Sequence, residues 1–220
     1  EVVFGAVDNL PMKVHLHELE GGVILNDNYF EVGAFPVIHR GPGCFGFSFT
    51  EHDRRPFLVD RAEALGVPAG PIRRRLVQGE SITLDDGRQI QPDEVLGPMQ
   101  PGARLMFVSD VGRTDTLLEQ AAGANTLVIE ATYLEEEADM ARKFGHLTAA
   151  RAAQLAREAG VGTLILNHIS RRYSTRQILA EARRHFDNVF VARDFDHFRV
   201  LKQESAQWVG NLREAPSPNA

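Results

Sequence analysis

The sequence predicts an α/β fold in which a largely parallel sheet is covered by helices, is entered through antiparallel strands and is interrupted by an arm. Three observations predict it. Apolar runs at 105–108, 126–129, 163–166 and 189–192 are nearly continuous in Val, Ile and Leu, as in strands buried inside a layered sheet. Helical patterns over 116–122, 135–143, 148–159 and 175–185 separate those runs, the alternation that builds parallel sheets. Residues 1–52 carry instead short apolar runs bounded by Gly and Pro, at 23–25, 29–32, 35–38 and 45–49.

Each element has a local reason. In 45–49 every second residue is Phe, the period of a half-buried strand. Residues 53–103 hold six of the eleven prolines (56, 68, 71, 92, 98 and 101). A short helix at 59–65 is stopped by Gly66, and two short strands within 81–90 flank Asp86-Gly87, a strong hairpin turn. Few large apolar residues are available there for a core. We therefore read 53–103 as an inserted arm, with 1–52 and 104–203 forming the main domain. The alanine-rich helix at 148–159 is capped by Thr148 and stopped by Gly160. The polar segment 204–220, with two prolines, reads as a flexible tail.

Composition narrows the function classes. The 220 residues are 43% hydrophobic and 25% charged, which excludes a disordered or fibrous chain. A single cysteine, Cys44, excludes an internal disulfide framework. No apolar run approaches the ~18 residues of a membrane span, and residues 1–13 lack the pattern of a signal peptide. The expectation is a soluble, cytoplasmic protein. Its net charge of −6 means that any nucleic-acid contact must use local basic patches.

The informative pattern lies at the carboxyl ends of the strands. His39 comes directly after 35–38, Asp110 after 105–108, Glu130 after 126–129, and His168 after 164–167. Open α/β sheets gather their sites at strand carboxyl ends. Imidazole nitrogens with a carboxylate suit zinc, or manganese where oxygen dominates. Taken singly, a His after a strand is usually a satisfied polar residue and an Asp usually a turn residue; only the joint pattern points to a metal.

Two further clusters accompany it. His146, in Gly145-His146-Leu147-Thr148, opens the alanine-rich helix. Paired with Glu130 it would hold one tautomer and deliver a proton to a leaving oxygen; its plain alternative is a structural imidazole under the helix. Ser170, Arg171 and Arg172, in the run that ends at Tyr173, come after His168 and would donate to phosphate oxygens. Five arginines fall between 171 and 184 against one acid, Glu181. Such a run alone is usually a solvated face, but in an acidic chain it favours a phosphate-bearing partner. Arg73, Arg74 and Arg75 form a smaller patch in the arm. The pair His15 and His17 suggests a metal motif, but Leu19 and Glu20 stand where HxHxDH needs Asp and His, so we decline it.

Gly145-His146-Leu147-Thr148-Ala149, the run LILNHISRRY over 164–173, Glu130-Ala131-Thr132, Asp110 and the arm sequence GVPAGPIRRRLVQGESITLDDGR together resemble ribonuclease Z. That is the tRNA 3′-processing endonuclease family of the metallo-β-lactamase superfamily. The resemblance covers essentially residues 20–200. It implies an αββα sandwich, incomplete at the N-terminus, with an inserted arm. It implies two zinc ions, or manganese, that activate water to cut the 3′ extension of precursor tRNA. In it His39 looks like a ligand of one metal, His168 of the other, and Asp110 the bridge. Glu130 with His146 resembles the pair that assists the leaving group, and Ser170, Arg171, Arg172 and Tyr173 resemble phosphate contacts. Arg73, Arg74 and Arg75 lie in what resembles the tRNA-clasping exosite, which in the family works across a homodimer.

The departures carry expectations too. HxHxDH does not occur, and the chain opens on Glu1, so we expect a chain truncated at its N-terminus. These residues alone then hold too few ligands for a stable binuclear site, and the chain alone is expected to be inactive. Ser109 and Val111 flank Asp110 where the family often has Gly and Thr, and Ile129 stands where it often has His. Two alternatives remain: another hydrolase of the same fold, such as a small phosphodiesterase or an arylsulfatase, and a non-catalytic RNA-binding fragment.

Overall fold

A computed structural model describes residues 17–202 and 205–213. Seven strands form one mixed sheet: β1 (Gly22–Asn26), β2 (Phe30–Pro36), β3 (Phe45–Glu51), β6 (Arg104–Val108), β7 (Thr126–Glu130), β8 (Thr163–Asn167) and β9 (Val189–Val191), in that spatial order. The first four pair antiparallel and the last four parallel. The parallel half results from its connections: helices α4 (Leu118–Ala121), α5 (Ala138–Phe144), α6 (Ala149–Glu158) and α7 (Thr175–Ala182) lie between the strands, and a parallel neighbour needs such a crossover.

Alternation along the strands sets the core. Met106, Val108, Leu127, Ile129, Leu164 and Leu166 are fully buried and pack with Ala149, Ala152, Ala153 and Ala156 of α6 and with Ile178 of α7. The run of alanines brings α6 close to the sheet at little side-chain entropy cost. The opposite face is not equally dry, for Phe49 and Phe107 are 41% and 37% exposed. Period-2 geometry thus separates two faces that nearly continuous apolar strands make look alike.

Several expectations change. The runs at 29–32 and 35–38 are one strand, β2, because Gly33 and Ala34 continue the register against Ser48 and Phe47. The helix expected at 135–143 opens as a 3-10 turn, Glu135–Glu137, before α5. The segment read as a flexible tail contains β11 (Gln207–Asn211), paired antiparallel with β10 (Asp196–Arg199). Its alternation is short and interrupted by Gly210, which hid the strand; residues 214–220 and 1–16, with His15, lie outside the described residues.

The segment 53–103 folds around its own apolar cluster. It contains α1 (Val59–Ala64), α2 (Pro71–Val77), the hairpin of β4 (Ile82–Thr83) and β5 (Gln89–Ile90), and α3 (Pro92–Val95). Ala62, Val67, Leu76, Ile82, Ile90 and Val95 meet there, none more than 2% exposed. The expectation that it lacks residues for a core is thereby corrected. Its apolar residues are spread one per element, so no periodic run announces them. Helix α2 is unexpected because Pro71 occupies its first turn, where the missing N–H costs nothing.

Candidate active site

The carboxyl ends of β6, β7 and β8 lie side by side, and β2, antiparallel to β3 and so running in the direction of β6, ends on the same edge. The residue after each strand therefore enters one space. Asp110 sits centrally: its Oδ2 lies 3.9 Å from His39 Nε2 and its Oδ1 3.4 Å from His168 Nε2. His146 stands between the two other imidazoles, with ring centroids 5.1 Å from His39 and 5.3 Å from His168.

Each imidazole is aimed from behind. The Nδ1–H of His39 donates to the Gly145 carbonyl at 2.7 Å, which leaves Nε2 toward Asp110. Gly145 turns there with φ of +69°, closing α5 in the left-handed conformation. His146 Nδ1–H donates to Glu130 Oε1 at 2.9 Å. His168 takes a φ of +51°, uncommon for a residue with a side chain. The Thr132 hydroxyl, 3.0 Å from the His168 carbonyl, helps to hold that turn.

Glu130 is fully buried and has no lone pair left for a cation. Its Oε1 accepts from Val111 N at 2.8 Å as well as from His146, and its Oε2 accepts from Thr132 Oγ1 at 2.6 Å and Leu147 N at 3.2 Å. Four donors saturate a carboxylate. It therefore orients the loops carrying Asp110, His146 and His168 rather than ligating. Sequence patterning did not single out Thr132. Its signal was the spacing Glu130-Ala131-Thr132, since residues two apart in an extended segment share a face.

The donor set fits a divalent cation. His39, Asp110 and His146 each offer a ligand atom, all within 4.8 Å of one another. Two nitrogens and an oxygen suit zinc and leave a position open for water or substrate. His168, on the other carboxylate oxygen of Asp110, extends the same cluster.

The other expected contacts divide. Ser170 caps the turn after His168, receiving Arg172 N at 3.4 Å. Arg172 Nη1 and the Tyr173 hydroxyl both donate to Glu137, the first at 2.9 Å. Arg171 is exposed. In the arm, Arg73 turns inward to the Val67 and Pro68 carbonyls and over the Phe57 ring, while Arg75 pairs with Glu80 and Arg74 is exposed. The structure thus commits Arg73 to its own loop. Glu181, the single acid of the arginine-rich stretch, carries no sequence signal of its role: it accepts from Glu135 N and Ala150 N, each at 3.0 Å, and so ties α7 to the start of α6.

Comparison with known proteins agrees with this fold. The family described as the β-lactamase superfamily domain matches residues 68–169. A ribonuclease Z of Bradyrhizobium diazoefficiens is 45% identical over 190 residues, covering 86% of this chain and 63% of its own length. A ribonuclease Z of Thermosynechococcus vestitus is 38% identical over 222 residues, covering 98% of this chain and 54% of its own length. The chain thus spans 54–63% of the length of these curated relatives. The solved metallo-β-lactamase fold protein YhfI of Bacillus subtilis superposes with a TM-score of 0.50 at 16% identity, covering 82% of this chain and 52% of that one, a likeness of fold. The chain has the metallo-β-lactamase fold, and the curated relatives it resembles over most of its length are ribonucleases Z.

Proposed function

We propose that this chain is the larger part of a metal-dependent endoribonuclease that cuts the 3′ extension of precursor tRNA. The observation that carries the proposal is Asp110, whose two oxygens face imidazoles on opposite sides, His39 at 3.9 Å and His168 at 3.4 Å. A carboxylate so placed suits a bridge between two cations, with His39 serving one and His168 the other; zinc fits the donors best and manganese is the second choice. Bound there, divalent cations would supply Lewis-acid stabilisation of phosphoryl charge and a nucleophilic water at neutral pH.

The chain's own residues do the rest. Glu130 fixes the tautomer of His146 through Nδ1 and leaves the second ring nitrogen to protonate the departing oxygen. Ser170 and Arg171 face the phosphate, and Arg172 and Tyr173 join them by exchanging Glu137 for a phosphate oxygen. On the same reading the arm 53–103, with Arg74 exposed on it, clasps the tRNA body, and two copies work as a homodimer in the cytoplasm. The self-sufficient core of the arm supports this, because it lets the segment project from the sheet as a rigid unit.

The cluster of ligand atoms that includes His146 favours a second reading, in which that imidazole is a cation donor and not the acid. The test uses a protein of family length containing this segment, with zinc or manganese and a 3′-extended tRNA. Cleavage at the end of the acceptor stem, abolished by Asp110→Asn, is expected. An uncut tRNA overturns the proposal.

A further inference from the structure

Next to the candidate active site a cleft of about 450 Å³ opens, with His146 in its wall. Its volume lies in the range of ~300–1,000 Å³ typical of small-ligand sites. Its deep side is apolar: Ala141 is 3% and Leu147 4% exposed. The lining also carries three guanidinium groups, from Arg113, Arg142 and Arg151, and two carboxylates, Asp115 and Glu135.

These three cations differ in what holds them. Arg113 is gripped by both oxygens of Asp115, at 2.9 and 2.8 Å, and Arg142 pairs with Asp139. Arg151 donates hydrogen bonds to neutral oxygens, Thr114 Oγ1 at 3.0 Å and Gln154 Oε1 at 3.2 Å, and meets the Asp115 carboxylate, already gripped by Arg113, only through its longer-range charge. The start of α6 offers the cleft no free donor. Ala149 N is bound to the Tyr133 carbonyl, Ala150 N to Glu181, and Arg151 N to the Thr148 hydroxyl. An anion entering here must therefore be met by side chains, and by Arg151 first.

We infer that this cleft is the subsite for one nucleotide of the RNA, the one that carries the departing oxygen, with its base on Ala141 and Leu147 and its phosphate on Arg151. This rests on the nuclease reading in one respect, the choice of nucleotide: the residue whose oxygen His146 protonates must lie against His146. Apolar surface below guanidinium matches the two ends of a nucleotide, whereas a bare phosphate would leave the deep side wet.

The test uses the 220-residue chain and adenosine 5′-monophosphate, whose 3′ hydroxyl stands for the departing oxygen, with binding read by amide NMR and calorimetry without metal. Expected are saturable binding, shifts at the Ala141 and Leu147 amides, and at least tenfold weaker binding in Arg151→Ala, partly restored by Arg151→Lys. Adenosine and inorganic phosphate should each bind at least tenfold more weakly than the nucleotide. Binding indifferent to Arg151→Ala, inorganic phosphate binding as tightly as the nucleotide, or no saturable binding would overturn the inference. The two readings separate cleanly. A cut tRNA with Arg151-independent nucleotide binding overturns the subsite alone. An uncut tRNA with Arg151-dependent binding overturns the nuclease and leaves the subsite standing as a nucleotide site.

Discussion

Glu130 Oε1 receives His146 Nδ1 at 2.9 Å while its partner oxygen receives the Thr132 hydroxyl at 2.6 Å, so one buried carboxylate fixes an imidazole and a strand-end turn together. Replacing it by Gln keeps the shape but turns one acceptor into a donor that meets an N–H. Glu130→Gln should cost ~2–4 kcal/mol of stability, the penalty for unsatisfied buried polar groups. Urea unfolding measures it, and the ¹⁵N shifts of His146 should show loss of the single tautomer. An unchanged tautomer population would remove Glu130 from its positioning role.

Asp110 and His146 are separable by metal binding. Since loss of even an outer partner lowers metal affinity ~10–100-fold, Asp110→Asn or His39→Ala should lower zinc affinity by more than ~100-fold. If His146 is the acid, His146→Ala should leave zinc affinity within ~10-fold while hydrolysis in a family-length protein falls ~10²–10⁴-fold. Calorimetry with zinc on each variant decides. A loss of zinc in His146→Ala equal to that in Asp110→Asn would move His146 into the ligand set.

Gly112 lies where the Asp110 turn meets the Gly145 turn. A Cβ there would stand 3.1 Å from Gly145 Cα and 3.3 Å from its carbonyl oxygen, backbone that cannot swing aside. Gly112→Ala should cost ~1–3 kcal/mol by overpacking and spread Asp110 from His39. Thermal melting and zinc titration together check this. A stable variant with intact zinc binding would show that the two turns tolerate separation.

Asp196 gives the β10–β11 ribbon a defined acid limit. Burial raises the pKa of its carboxyl, but hydrogen bonds from Asn211, Arg193 and the Trp208 side chain outweigh it and hold the group well below the usual carboxylate range. A depressed folded pKa means stability present above the unfolded value of ~3.9 and lost as pH falls toward the folded one. Trp208, the single tryptophan, reports on this ribbon by fluorescence. The ribbon should melt only in strong acid, and Asp196→Asn should flatten that dependence; an unchanged acid transition would count against it.

The local code was legible in the sequence wherever a signal lies within a few neighbouring residues. The four apolar runs became β6, β7, β8 and β9 with small shifts of boundary, and Thr148 caps α6 with its hydroxyl on Arg151 N. His39, Asp110, Glu130 and His168 could be singled out because strand ends bring side chains to one edge of a sheet, whatever the packing. Signals spread over distant residues were not legible. The arm's core is made of single apolar residues from different elements, and β10 (DHFR) and β11 (QWVGN) are too polar to stand out as apolar runs.

Tertiary structure alone decided which candidate side chains are left open. Composition and spacing determine that imidazoles and carboxylates gather at the sheet edge. Whether a carboxylate is open to a cation depends on its donors, which for Glu130 come mostly from 16 to 19 residues away, on the loops of Val111, His146 and Leu147. Glu130 is saturated and Asp110 is not; Arg73 is spent on the carbonyls of its own loop, whereas Arg151 lines an open cleft. The reason is that a side chain's chemistry belongs to its type, but its availability is set by partners that only the folded chain brings within hydrogen-bonding reach.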